Sequence, residues 1–203
     1  ADAGAVSGVR LADDTLLETD LLIVGIGVMP NVALAEMAGV ACGDGILVWP
    51  TMVTSDPAIY AIGDGALAGD MAPVVNGRPI RVESVHNAQD SAARAAAAIN
   101  GHAAPALQAP WFWSEQYDVR LQSAGIVPPA GDDVVQIVRP GKRDGGLSVW
   151  SYVGQDLHAI ESVRDPAGYM MGKKCLDAGT HPTPAQIGDP NFDVKSFVAG
   201  AAQ

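Results

Sequence analysis

The stretch from Ser84 to Gly101 does most to constrain the fold. It is rich in alanine, contains no proline and is closed by Gly101, so it reads as one helix. Ala88, Ala92, Ala95, Ala96 and Ile99 share its packing face at helical spacing. A face built from such small residues suits a helix lying close against a sheet. The preceding sequence supplies strands for that sheet. Leu21-Leu22-Ile23-Val24 is a continuous apolar run, as expected of a strand buried on both faces, and it ends in the loop Gly25–Asn31. Gly45–Val48 reads as a short strand, and Ile59–Ile62 as another that leads into Gly63-Asp64-Gly65. In open α/β sheets ligands sit at the carboxyl ends of strands, which is where these glycine loops fall.

Shorter signals complete the picture. Val9–Leu11 and Leu16–Asp20 flank the turn 12–15 and read as a hairpin. Asn31 is placed to cap a short helix, Val32 to Met37, that Gly39 ends. Thr54–Pro57 is a turn, and residues 65–80 form a loop rich in Gly, Pro and Met. Residues 102–110 form a Pro/Ala linker and a domain boundary. Beyond it come strands at Val119–Ala124, Val134–Val138, Leu147–Val153 and Leu157–Val163. Helical stretches follow around Gly168–Ala178 and Asp193–Ala199, with breaks at Pro184, Gly188 and Pro190. Strands followed by helices give an α+β domain.

Charge and cysteine usage exclude several classes. The net charge of −11 and pI of about 4.5 leave no basic field to displace phosphate counterions, which argues against nucleic acid. No apolar run is long enough to span a bilayer, so no membrane role is expected. An acidic protein partner would need a local basic patch; Arg78 with Arg81, Lys142 with Arg143, and Lys173 with Lys174 are the candidates, each more simply read as a solvated pair. Cys42 and Cys175 form no CxxC pair, so neither a redox dithiol nor a metal site is expected. Inert thiols in a reducing, cytoplasmic compartment are the simpler reading.

Three segments carry candidate chemistry. Gly63 lets a ligand approach the backbone, and Asp64 beside it can accept hydrogen bonds from sugar-type hydroxyls; a turn aspartate capping the next segment is the alternative. The head of the alanine helix, Glu83-Ser84-Val85-His86, offers free N–H groups and the positive end of the dipole, although Ser84 is also a simple N-cap and His86 a first-turn residue. Trp111-Phe112-Trp113 is costly to expose, and either plugs a domain junction or stacks on something.

These segments resemble one superfamily. Thr54-Ser55-x-x-x-Ile59-Tyr60-Ala61-x-Gly63-Asp64 is similar to the second flavin motif of the pyridine-nucleotide disulfide oxidoreductases, and Gly25, Gly27, Pro30 and Asn31 match their V-G-I-G-x-x-P-N return loop. Pro110-Trp111-Phe112-Trp113-Ser114-Glu115-Gln116-Tyr117 resembles the P-W-F-W-S-D-Q-Y segment of bacterial ferredoxin reductases of the putidaredoxin/rubredoxin reductase type, with Glu115 where Asp is usual. The ending Pro184-x-x-Ile187-Gly188-Asp189-Pro190 follows the same group.

The resemblance implies an α/β partial FAD-binding, Rossmann-like domain at 1–103, with the end of the NAD-domain connection at 1–20. An α+β reductase C-terminal domain follows at 110–203. It also implies FAD at Gly63, Asp64, Glu83, Ser84, Val85, His86 and Trp113, with NAD(P)H as substrate and an iron–sulfur ferredoxin or rubredoxin as partner. No acid, base or nucleophile is required of the protein, because the cofactor carries the chemistry. A homodimer through free sheet edges is one state this allows.

The 203 residues contain no GxGxxG, so most of both nucleotide sites is expected in preceding sequence. Gly63 and Asp64 contribute a few hydrogen bonds of about 1 kcal/mol each, so the chain by itself is expected neither to retain FAD nor to oxidise NADH. Two alternatives remain. One is a stand-alone flavin-free partner-binding module. The other is a piece of an NADH oxidase or nitrite-reductase-type flavoprotein, which the Pro110–Tyr117 segment speaks against.

Overall fold

The computed structural model describes residues 4–69 and 72–201. The first part of the chain is a set of small sheets gathered against one helix. β1 (Gly8–Arg10) and β2 (Leu16–Glu18) make the expected antiparallel hairpin. Its turn is fastened where the Thr15 N–H donates to Asp13 at 3.0 Å. The run Leu21–Val24 departs from expectation. It forms no strand, and Leu21 and Ile23 are 76% and 86% exposed. No described strand lies beside it, and a strand needs neighbours to take its backbone groups.

The helix α1 (Ala33–Met37) is present, but Asn31 does not cap it. Val32 holds the cap position without a side-chain bond, and the chain turns off at Gly39. β3 (Cys42–Gly43) pairs antiparallel with β4 (Gly45–Leu47), and β5 (Ala66–Leu67) lies parallel to β4. The Thr54–Pro57 turn is as expected, with the Ala58 N–H donating to Asp56 at 2.8 Å. The strand expected over Ile59–Ile62 reduces to a single bridge between Val53 and Tyr60. Within the expected loop 65–80, β6 (Val74–Val75) and β7 (Arg78–Pro79) form a hairpin. Its turn residues Asn76 and Gly77 both have positive φ, as a tight two-residue turn demands.

The alanine helix is α2 (Val85–Ile99), capped by Ser84, whose Oγ accepts from the Asn87 N–H at 3.1 Å. Its buried face is rotated from the expected one. Ser91, Arg94 and Ala95 are buried, whereas Ala96 is exposed and Ile99 is 64% exposed. Polar anchoring sets this rotation. Ser91 binds Gly63, and the Arg94 guanidinium donates to the carbonyls of Pro50 at 3.1 Å and Pro105 at 2.7 Å. Val48, Met52, Ala61, Ala66 and Ala95 form the core beneath it.

Residues 102–110 have no regular structure and lead into a five-stranded antiparallel sheet. Its strands are β8 (Trp111–Gln116), β9 (Val119–Gly125), β10 (Val134–Pro140), β11 (Leu147–Val153) and β12 (Asp156–Val163), in the order β10-β11-β12-β9-β8. The aromatic segment is thus an edge strand, which the sequence reading had not marked as one. The register aligns Ile137, Trp150, Ile160, Ala124 and Trp111 in one cross-strand row. That face packs on α3 (Pro166–Ala178), which Asp165 caps and Gly179, in the left-handed region, ends. α4 (Pro184–Gly188) occupies a stretch read as breaks. It starts at a capping box between Thr183 and Gln186. α5 (Val194–Ala201) closes the unit.

Trp150, Tyr152, Ile160 and Cys175 are nearly inaccessible at the centre of this core. Burial pushes the Cys175 thiol up to about 11, so it is inert at neutral pH; Cys42 is half-buried and also free.

Gly172 is where α3 meets the sheet. A β-carbon there would sit 2.5 Å from Cδ1 of Ile160. Alanine is the better helix former by about 1 kcal/mol. Overpacking a tight core costs about 1–3 kcal/mol. Gly172→Ala is therefore expected to destabilise the chain by up to about 2 kcal/mol, read as a lower urea midpoint at an unchanged slope.

Candidate functional site

The site is built where the extended chain at Ile62 turns into α2. Gly63 takes φ of +68°, open to glycine at little cost, and begins a single 3₁₀ turn, Gly63–Gly65. The Gly63 N–H donates to Ser91 Oγ at 2.9 Å, and Ser91 in turn donates to the Ala88 carbonyl at 3.1 Å. One hydroxyl therefore ties the turn to the middle of the helix. Asp64 stands on the outer side of this turn. Its carboxylate is exposed and forms no hydrogen bond among the described residues, so it is free to accept from a ligand.

Arg81 holds the other side. The sequence offered it as a surface cation for partner docking, but its side chain is only 5% exposed. Its Nη1 donates to the Asp64 carbonyl at 2.7 Å and pairs with Glu83 at 2.8 Å; Nε lies 3.7 Å from Asp44 and has no hydrogen-bond acceptor. Room for this side chain depends on Gly45, where a β-carbon would sit 2.6 Å from Arg81 Cδ. The remaining docking candidates also differ from one another. Lys173 pairs with Asp177 along α3, while Arg78, Lys142, Arg143 and Lys174 are exposed.

Ser84 caps α2, and the Asn87 side-chain amide donates back to the Val82 carbonyl at 2.6 Å. The N–H groups of Val85 and His86 then stand at the open helix end without partners among the described residues. From His86 an aromatic ladder runs into the second sheet. Its ring lies 5.4 Å from Trp111, and Trp111 lies 5.7 Å from Trp113. Trp111 is half-buried. Phe112 and Trp113 are 46% and 42% exposed, so the aromatic segment is only partly packed away.

The structure thus brings Gly63, Asp64, Glu83, Ser84, Val85 and His86 together around Arg81 and Ser91, and joins Trp113 to them through Trp111. Gly25, Gly27, Pro30 and Asn31 sit instead in the unpaired segment that follows Leu21–Val24. Arg81, Ser91 and Trp111 are the contributors that sequence reasoning missed. The only signal for Arg81 was its place two residues before Glu83. Among the described residues no group of three or more His, Cys, Asp or Glu is placed to hold a metal, and no helix is long and apolar enough to cross a membrane.

The donor set has the chemistry of one edge of a flavin dinucleotide: an unpaired carboxylate for hydroxyls, two free amides at a helix N-terminus for a carbonyl edge, and indole rings beside them. Comparison with known proteins agrees with this class. Residues 1–92 match the pyridine nucleotide-disulphide oxidoreductase family, and residues 111–198 match the reductase C-terminal family. The chain is 37% identical over 198 residues to rhodocoxin reductase of Rhodococcus erythropolis, covering 97% of this chain and 44% of the relative. The solved ferredoxin reductase of the CYP199A2 system from Rhodopseudomonas palustris superposes with a TM-score of 0.83 at 40% identity, over 98% of this chain and 48% of that one. A covalent putidaredoxin reductase–putidaredoxin complex gives 0.82 at 33% identity, over 97% and 46%. The first part of the chain is thus similar to the pyridine nucleotide-disulphide oxidoreductases and the second to their reductase C-terminal domain, and the relatives it resembles are ferredoxin reductases. It spans under half the length of the relatives it matches.

Arg81→Met keeps most of the side-chain volume while removing the bonds to Asp64 and Glu83. Hydrogen bonds to charged groups contribute about 1.5–3 kcal/mol. Glu83 is 40% exposed and regains water. The substitution is therefore expected to lower stability by about 1.5 kcal/mol, measured by urea unfolding.

Proposed function

We propose that this chain supplies one half of the flavin site and the reductase C-terminal domain of a FAD-dependent enzyme. That enzyme would take electrons from NAD(P)H and pass them to a ferredoxin- or rubredoxin-type iron–sulfur protein. Residues 1–103 act as the end of the FAD domain, with 1–20 closing the NAD connection, and 110–203 act as the C-terminal domain. The observation that carries this reading is the unpaired, exposed Asp64 carboxylate on a turn that Ser91 ties to α2, with His86 at the open end of that helix against Trp111.

When bound, FAD supplies the redox chemistry, accepting two electrons as hydride and releasing them singly. The work of the protein is to bind and to bias. Asp64 accepts hydrogen bonds from ribityl hydroxyls, and Gly63 keeps the backbone close. The Val85 and His86 amides, reinforced by the helix dipole, stabilise negative charge at the carbonyl edge of the ring. Glu83 stays folded back on Arg81, so its charge does not oppose that stabilisation. Trp113 covers the ring beside the face where the partner arrives. A cytoplasmic location and a homodimer both accord with this reading, the latter through the exposed apolar run at 21–24.

The test joins this chain to the portion of the Rhodococcus rhodocoxin reductase that it does not cover. The chimera is expected to purify yellow, with about one flavin per chain, and to reduce ferricyanide with NADH; the 203-residue chain alone stays colourless. Asp64→Ala in the chimera is expected to weaken FAD retention about 10- to 100-fold, one charged hydrogen-bonding group's worth. A folded chimera without flavin, or one indifferent to Asp64, contradicts the reading.

A further inference from the structure

Behind the Gly63–Asp64 turn lies a cavity of about 230 Å³. It shares Gly63, His86, Asn87 and Ser91 with the site above but none of Asp64, Glu83, Ser84, Val85 or Trp113. Its walls are mostly apolar, formed by Val48, Met52, Ala66, Ala68 and Leu107. Its polar lining comes from His86, Asn87, Asp90, Ser91, Gln108 and Arg94; Arg94 enters the wall from α2, and the residue as a whole is 5% exposed.

Arg94 is held but not neutralised. Nε and Nη1 donate to the carbonyls of Pro50 and Pro105, which are neutral acceptors, and Nη2 has no acceptor among the described residues. Asp90, one turn earlier on α2, lines the same cavity, yet no described carboxylate forms an ion pair with Arg94. A guanidinium with three N–H donors to spare and no ion-pair partner among the described residues is costly beside apolar walls. An anion entering the cavity relieves that cost.

From this we infer that the cavity binds a small monocarboxylate with a short apolar body, its carboxylate on Arg94 Nη2 and its chain against Met52, Ala66 and Ala68. The size agrees, since water occupies about 30 Å³ in the liquid and the space holds about eight such volumes, close to the eight heavy atoms of hexanoate. A dianion is disfavoured, because one guanidinium faces it and Asp90 sits on the same wall. This site does not depend on the flavin reading and is open to study in the 203-residue chain.

The test is a titration of the chain with sodium hexanoate, followed by amide and methyl NMR shifts. Saturable binding with a dissociation constant of about 1 mM or tighter is expected, with shifts at Met52 and Ala68. Hexanamide, which has the same shape without the charge, is expected to bind at least about 10-fold more weakly. Arg94→Gln removes the charge and is expected to weaken hexanoate about 10-fold or more, whereas Asp90→Asn tightens it several-fold. Arg94 also anchors two carbonyls, so its variant can unfold. Ala68→Leu fills the cavity with Arg94 intact and is expected to abolish binding in a chain whose spectrum stays dispersed. No saturation up to about 50 mM hexanoate overturns the proposal, as does equal affinity for hexanamide or undiminished binding by folded Ala68→Leu.

Discussion

The hydrogen bond from the Gly63 amide to the Ser91 hydroxyl is the point on which the site turns. The short strands of the first unit cannot position the Gly63–Gly65 turn by themselves: β4 and β5 share only two paired positions, and the expected strand before Gly63 is a single bridge. What places the turn is the helix. Ser91 sits at the centre of α2, so its hydroxyl transfers the rigidity of fifteen helical residues to a glycine in the left-handed region. Arg81 then closes the opposite side by taking the Asp64 carbonyl and Glu83 in one guanidinium. With the backbone satisfied on both sides, the Asp64 carboxylate remains outward and unspent.

The same helix passes this arrangement to the second unit. His86 packs at a tilt against Trp111, and Trp111 lies in the cross-strand row with Ala124, Ile160 and Trp150 in the core of the larger sheet. An edge strand is ordinarily a free template for pairing. Here it carries bulky aromatics that meet the neighbouring unit from its exposed side, so the edge serves as a junction. Of the three aromatics, Trp111 is the one that meets α2, through His86.

Much of the second unit was legible in the sequence because its signals are local. β-branched and aromatic runs separated by Gly/Asp turns marked four of its five strands, and Asp165-Pro166 with Gly179 bracket α3 as a cap pair does. The fifth strand, Trp111–Gln116, was hidden because its aromatics suggested contact before they suggested a period. In the first unit the local pattern was less reliable. Leu21–Val24 has the composition of a buried strand, but strand formation depends on a neighbour, and composition cannot supply one. The face of α2 was misjudged for a related reason. Hydrophobic spacing pointed to Ile99, whereas Ser91 and Arg94 had specific acceptors in Gly63, Pro50 and Pro105, and those bonds won. Arg81 looked like a surface charge because nothing local reveals that Gly45, thirty-six positions earlier, leaves a space for it. The Ser84 cap was readable because its chemistry is carried by adjacent residues.

Amide hydrogen exchange at Gly63, followed residue by residue in the 203-residue chain, tests this account most directly. If Ser91 locks the turn to α2, the Gly63 amide exchanges as slowly as the central amides of the helix, and Ser91→Ala returns it to the fast rate of an exposed turn while the helix stays protected. A Gly63 amide that exchanges at the rate of the unpaired loop 21–31 in the unsubstituted chain would show that the turn is not held. The arrangement of Asp64 against the end of α2 would then have no structural basis.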